Sequence, residues 1–232
     1  MPEVITDVPL LALTEVLFPG TYLSLRLENP AQRNLIRACN DNGRQVGVVM
    51  TNDKTVHGKH AIPSTIGCLA SIAMLIHEGD DEETPASVIL YGERRIRVLS
   101  LIQQDPFLTG SVGLVDETPG SNVGRRLMEA SDQFAEYRKN FSRQIETDVA
   151  VSYLSDDPSV ASYTLASLLP APLNIKQRWL EMKSCAHRLA EETAYMGAEC
   201  ELHNIFFTLA QSQRHRYTQT SPQSFNHLLT DN

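Results

Sequence analysis

Several groups of residues in this sequence are of types that do chemistry elsewhere. His57, His60 and Cys68 combine imidazole and thiolate, ligands that suit zinc. A fourth ligand is missing and the stretch is polar and aperiodic, so the two histidines read as surface residues and no metal site is expected. Gly120-Ser121-Asn122-Val123-Gly124 sets a serine between glycines. It is not GxSxG, and it sits in a linker, whereas a nucleophile elbow joins a strand to a helix. There is also no GxxxxGK[ST] loop to cradle a nucleotide phosphate. Cys200 and His203, one helical turn apart, read as core and rim of a helical bundle. Arg94, Arg95 and Arg97 share one strand and invite a nucleic-acid reading. Against it stand 20 Lys and Arg facing 28 Asp and Glu, a formal charge of −8, and the lack of interleaved aromatics on which bases could stack. A structural role fits better, with Arg95 satisfying backbone carbonyls at the adjoining Gly92 bend and Arg97 solvated. No catalytic residue, no metal and no cofactor follow, and the chain is read as a non-enzyme.

The elements that must carry these residues are organised around Ser87–Leu99. Its β-branched and aromatic run, Val88 to Tyr91, passes Gly92 and then alternates Arg95, Ile96, Arg97, Val98, the period-two signature of a strand with one wet face. Gly92 inside that pattern marks a bulge or a tight bend in a curled sheet. Gly67 to Glu78 reads as the partner strand, joined to it through the acidic turn Gly79 to Pro85. Ahead of this hairpin come the apolar runs Val8–Leu13 and Val16–Phe18, the turn Pro19-Gly20 with a glycine free to take positive φ, and an alternating strand through Tyr22, Leu23, Leu25 and Leu27. Asn29-Pro30 starts a short helix that buries Leu35, Ile36 and Cys39 and closes at Asn42-Gly43. Gln45–Thr51 is a strand, and residues 52–63 form a surface loop. After the corner Asp105-Pro106-Phe107, Leu108–Val115 is the last strand.

At Asp116–Gly120 the hydrophobic period changes from two to three and a half. Positions 123, 127, 130, 134, 137, 141 and 145 then predict a helix of about 25 residues with one apolar face. Asp157-Pro158 starts a second helix, ended by Pro170 and Pro172. Asn174 and Gln177 resemble a capping box for a third, in which Trp179, Met182, Ala186, Leu189, Thr193, Met196, Cys200 and His203 predict continuation past Gly197 to about Gln211. The expected division is a β-rich part over residues 1–118, a helical bundle over 121–212 and a flexible tail over 213–232. The four scattered cysteines, without a CxxC, predict reduced and mostly buried thiols. No leader and no membrane span are recognised, which points to a cytoplasmic protein.

Taken in order, the motifs resemble the N-terminal domain of Lon proteases, in the subfamily that carries this domain without the ATPase and peptidase. The resemblance rests on Pro9-Leu10-Leu11-Ala12-Leu13 with Val16-Leu17-Phe18-Pro19-Gly20, on Ile66-Gly67-Cys68-Leu69-Ala70-Ser71-Ile72, on Gly92-Glu93-Arg94-Arg95-Ile96-Arg97-Val98, and on Asp105-Pro106-Phe107-Leu108. In the helical part it adds Ala166-Ser167-Leu168-Leu169-Pro170, Lys176-Gln177-Arg178-Trp179-Leu180-Glu181 and Arg188-Leu189. It implies an α+β fold: a small curled β-sheet pseudo-barrel of PUA-like, Lon N-terminal type, followed by a C-terminal α-helical bundle. It also implies a role in binding proteins, since in full-length Lon this domain helps to hold unfolded substrates and cereblon uses a Lon-like domain within a ligase adaptor. The chain departs from the family where Leu23-Ser24-Leu25-Arg26-Leu27-Glu28-Asn29-Pro30-Ala31-Gln32 replaces a segment with a second proline, a phenylalanine and an Arg-Tyr pair.

The function expected from the resemblance is a non-catalytic interaction module that binds peptide or unfolded-protein segments, linked to proteolysis. Its binding groove would lie between the β part and the helices. Phe18, Tyr22, Leu23 and Phe107 are its candidate lining, being apolar, near turns and on motif strands. The alternative for all four is the core. Gly20, Gly67, Gly92 and Arg95 are expected to be structural. The competing functions are RNA binding through a PUA-like surface, since PUA-like folds elsewhere bind RNA, and peptidase activity; the expected partner is a polypeptide, with no nucleic acid and no membrane.

Overall fold

Alternating apolar residues build one mixed sheet from β1 (Val4–Leu13), β2 (Tyr22–Arg26), β3 (Val46–Met50), β4 (Ile66–His77), β5 (Pro85–Gln103) and β6 (Thr109–Leu114). A computed structural model of the chain describes residues 3–51, 63–77, 85–103, 106–141 and 153–219, with backbone alone at 103 and 210–219. The loop with His57 and His60, the acidic turn and Asp105 lie outside the described residues. The strand order is β2-β5-β4-β3-β1-β6, and an additional β5–β6 pairing brings the far end of the sheet back onto its longest strand. The sheet thereby curls into a pseudo-barrel, as the sequence leads one to expect.

β5, 19 residues long, pairs with β2, β4 and β6. Where Leu69 faces Arg94 and Ala70 faces Gly92, Glu93 is the extra residue of a bulge. The bulge switches the alternation. Before it, Val88 and Leu90 face the core beneath α1 (Pro30–Asp41); after it, Arg95 stands on the side of its partner Cys68, and Ile96 joins Val8, Leu10, Leu69 and Val112 in a second apolar cluster. Gly92 keeps out of positive φ, yet has no room for a side chain. Its N–H donates to the Thr21 carbonyl at 2.9 Å and its own carbonyl accepts the Gly20 N–H at 2.8 Å. A Cβ there would run into the Phe18 carbonyl oxygen.

The helices follow their caps with one exception. Asn29 accepts the Gln32 N–H at the start of α1, and Asp157 accepts the Ser159 and Val160 N–H groups at the start of α3 (Pro158–Leu168), each with proline just inside. α2 (Val123–Phe141) buries Ala130, Phe134 and Tyr137; residues 142–150, where its apolar series was expected to end, lie outside the description. The single third helix expected from Asn174 onward is in fact two, α4 (Leu173–Glu181) and α5 (Cys185–Gln219). Pro172 occupies the N-cap of α4 without a side-chain hydrogen bond, so the Asn174–Gln177 capping box does not form. Gln177 instead donates to the Ile66 carbonyl on β4 at 3.0 Å.

No glycine or proline breaks the chain between α4 and α5. The break at Met182–Ser184 is made by groups from elsewhere. Arg95 donates to the carbonyls of Leu180 and Met182, and the Thr118 N–H takes the Lys183 carbonyl at 2.9 Å. Carbonyls occupied in this way are withdrawn from the helical ladder, and the Ser184 hydroxyl opens α5 by accepting the His187 N–H. α5 continues to Gln219, beyond Gln213, where the sequence suggests a loose tail. One core cluster joins Phe18 and Ile66 of the β part to Phe134, Tyr163, Leu165, Trp179 and Leu189 of the helices.

Candidate functional site

Two unusual arrangements stand out, one buried and one exposed. The buried one lies where the sheet meets the helices. Arg95 reaches not the Gly92 bend but carbonyls far along the chain, adding that of Asp116 at 3.1 Å to those of Leu180 and Met182. Its bulge-set orientation aims it at the bundle, which explains the departure from the expected partner. Arg188 of α5 is equally enclosed. Its guanidinium donates to the Glu117 carboxylate at 2.6 Å and to the Ser162 hydroxyl at 2.7 Å, and stacks 3.9 Å above the Tyr163 ring. Ser159 donates to Glu117, Tyr163 donates to Glu117 at 3.0 Å, and Ser162 donates to Glu192.

Glu192 is fully buried, and its desolvation outweighs the pull of Arg188 and the Ser162 hydrogen bond, so its carboxyl is pushed up to about 8. Burial likewise pushes up the thiols of Cys39 and Cys185 to about 11 and that of Cys68 to about 12, which keeps them from acting as thiolate nucleophiles. Ser162 beside a carboxyl superficially resembles an activated nucleophile. Ser162, Arg188 and Glu192 are all completely enclosed, and the two described surface depressions, along α4 and α5, are lined by other residues. The arrangement therefore holds the helices on the sheet.

The exposed arrangement is the outer face of a three-stranded arm made by β2, the first half of β5 and the second half of β4. Register sets its rows: Tyr22–Tyr91–Ser71, Ser24–Ile89–Met74 and Arg26–Ser87–Ile76. The opposite face of the same arm puts Leu23, Leu25, Val88, Leu90, Ile72 and Leu75 on the core beneath α1. On the outer face Tyr22 is 67% exposed, Met74 56% and Ile76 39%, with Tyr91 and Ile89 half-buried between them. The Tyr22 and Tyr91 rings lie 5.0 Å apart, a cross-strand aromatic pair. Other apolar side chains are exposed on α5, at Leu202, Ile205, Phe206, Phe207 and Leu209, and near the end of β5, at Leu99, Leu101 and Ile102.

The four candidate lining residues do not form one groove. Phe18 is completely buried, 6.2 Å from the Tyr163 ring, and is a core residue because the Pro19-Gly20 turn folds it beneath the bundle. Leu23 and Phe107 are half-buried against the cluster beneath α1. Tyr22 alone of the four lies on the exposed face. Gly20 takes φ 75° in its turn, and a side chain on Gly67 would collide with the Val48 carbonyl across the β3–β4 ladder. Sequence reasoning missed Glu117, Ser162, Arg188 and Glu192, although Arg188 and Glu192 are spaced i, i+4 on one helix face, the spacing of an ion pair. Ile89, Tyr91, Met74 and Ile76 were likewise not singled out, because the sequence does not show which face of the paired strands is left open.

A helical bundle is thus pinned through buried arginines to a curled mixed sheet, one arm of which exposes an apolar face. The chain belongs to the family of ATP-dependent protease La (LON) substrate-binding domains, whose model matches residues 7–197. It is 26% identical over 195 residues to the Lon protease of Amoebophilus asiaticus and 25% identical over 231 residues to that of Acinetobacter baumannii. These matches cover 82% and 97% of this chain but only 23% and 28% of those proteins, so the chain spans about a quarter of the length of these curated relatives. Among solved structures it is similar to a Lon N-terminal domain protein from Xanthomonas campestris, with a TM-score of 0.60 and 24% identity over 83% of this chain and 99% of that one. The N-terminal domain of Mycobacterium avium complex Lon protease gives the same TM-score at 17% identity, over 82% of this chain and 98% of that one. At those identities the structural likeness is one of fold.

Proposed function

We propose that this chain is a non-catalytic module that binds unfolded or peptide segments of other proteins, on the outer face of the β2–β5–β4 arm, in a cytoplasmic role linked to proteolysis. The carrying observation is that face itself: Tyr22, Tyr91, Ile89, Met74 and Ile76 side by side on a sheet, uncovered, in a member of a substrate-binding family. Apolar recognition by a sheet face suits unfolded chains, which expose such side chains without a fixed order. Affinity is expected to be modest, with Kd values of about 1 μM or weaker, roughly −8 kcal/mol. The strand of arginines is poorly placed for RNA. Arg94 lies 3.7 Å from Asp116 and Arg95 is buried, which leaves Arg97 as the exposed cation of the three without a carboxylate that close among the described residues.

Titration of a fluorescently labelled unfolded protein, and separately of a labelled RNA, at low and moderate salt tests this reading. Unfolded protein should bind with little salt dependence, whereas phosphate contacts would make affinity fall steeply as salt rises. Met74→Asp should weaken binding about tenfold, and Phe206→Ser on α5 should leave it unchanged. The reverse pattern would move the site to α5, and salt-sensitive RNA binding without polypeptide binding would end the proposal.

A further inference from the structure

The outer edge of β2 borders the apolar face, and its main-chain groups are in order. The Leu27 N–H donates to the Ala86 carbonyl at 2.8 Å and the Gly92 N–H to the Thr21 carbonyl at 2.9 Å, so the odd residues of this stretch turn their main-chain groups toward β5. In an antiparallel ladder the residues between them face the other way. The N–H and C=O groups of Tyr22 and Ser24 therefore point off the sheet, at the end of the strand order, where no described strand pairs with them. Both residues are exposed, and β2 pairs with β5 without a register shift and contains no proline or lysine, so it lacks several of the devices that usually blunt an edge.

We propose that an extended segment of an unfolded polypeptide adds to this edge as a further strand, pairing its main chain with Tyr22 and Ser24. This rests on the polypeptide-binding reading above and specifies how the segment is held. The occupant follows from the chemistry of the edge. Alternating donors and acceptors about 3.4 Å per residue apart are matched by another extended main chain, whereas a helix has used its own and a phosphate backbone has no donors. Alternate side chains of the added strand would fall beside Tyr22 and extend the Tyr22–Tyr91 row, so the segment should carry apolar or aromatic residues at every second position. Main-chain pairing supplies sequence tolerance; the row supplies a preference for apolar segments. Proline is disfavoured where an N–H must meet the edge.

The full chain should be titrated with a labelled, unstructured peptide of alternating apolar and polar residues, and with the same peptide N-methylated throughout its central segment. N-methylation removes main-chain donors and keeps every side chain, and the protein is unaltered. The expected result is a loss of at least about tenfold in affinity on N-methylation, together with slowed amide exchange at Tyr22 and Ser24 when the plain peptide binds. Ser24→Pro, whose missing N–H is not a ladder bond to β5, should show a similar loss with the melting temperature nearly kept. Equal binding of both peptides, with exchange at Tyr22 and Ser24 unchanged, would overturn strand addition while leaving binding by the apolar face intact. Slowed exchange at those amides through self-association alone would assign the edge to a second copy and likewise overturn it. No binding of the plain peptide would sink both the edge and the face.

Discussion

Between sheet and helices the chain encloses Arg95, Arg188 and Glu192, while on the β2–β5–β4 arm it leaves Tyr22, Met74 and Ile76 in water. Each region reverses the usual placing of charged and apolar groups, and for opposite reasons. A buried guanidinium is tolerated only when its donors are met, and here they are met by carbonyls, a carboxylate and a hydroxyl from three segments of the chain: Leu180 and Met182, Asp116 and Glu117, and Ser162. Satisfying them fixes one arrangement of sheet, linker and helices. On the exposed face, no described residue covers Tyr22, Met74 and Ile76, and their apolar area is reduced only by something from outside. One region spends its interactions on shape; the other keeps them for a partner.

The largest effect separates the two most sharply. Replacing Arg188 by Met should destabilise the fold by about 3–5 kcal/mol, because Glu117 loses its cation in a nearly enclosed site and Ser162 loses its donor. Denaturant unfolding measures it, and a loss below about 1 kcal/mol would reduce the network to a surface-like ion pair. Next comes Gly92→Val, at the point where β5 passes beneath the β1–β2 turn. The added side chain must push the Phe18 carbonyl aside, at a cost of about 1–3 kcal/mol seen as a lower melting temperature. An unchanged melting temperature would mean that the close approach is not maintained in solution.

The third effect is on pH. The Glu192 carboxyl is raised in the folded protein to about 8 from an ordinary value near 4.5, so between those limits the folded state holds a proton that the unfolded state releases. Its contribution is complete below pH 4.5 and is lost as pH rises through about 8. Stability measured from pH 5 to pH 8 should therefore carry a falling component, at most roughly 1.4 kcal/mol per pH unit, that Glu192→Gln removes. Identical pH profiles for the two proteins would show Glu192 to be ionised throughout. The smallest effect belongs to the exposed face: Met74→Ser should change stability by no more than about 0.5 kcal/mol, as judged by the same denaturant curves. A much larger loss would show that Met74 is covered within the chain, and the face would no longer be available to a partner.

Much of this molecule could be read along the chain because the reasons are local. Asn29-Pro30 and Asp157-Pro158 cap their helices wherever the helices go, and Pro19-Gly20 turns because one residue fixes φ and the next accepts 75°. The period change near Asp116 likewise marks where strands give way to helices. The motifs were enough to place the chain in its family. The site was far less legible. Tyr22 and Leu23 are neighbours in a strand with the same apolar appearance, and only their partners decide that Leu23 packs beneath α1 while Tyr22 meets Tyr91 in the open.

The sequence by itself determined most of the elements, the caps of α1 and α3, the curled-sheet-plus-bundle class and the family, since each depends on residues a few positions apart or on short motifs in order. Three things were decided only by tertiary structure. The run from Asn174 was divided into α4 and α5 by Arg95 and Thr118, which arrive from the sheet and the linker to take the carbonyls of Leu180, Met182 and Lys183. Glu93, by bulging, decided that Arg95 faces the helices rather than its own bend. The pairing of β2 with β5, and of β5 with β4, decided which apolar residues share an exposed face. In each case the deciding group is distant along the chain, and neither periodicity nor propensity carries information about a hydrogen bond or a packing surface supplied by a segment that only folding brings near.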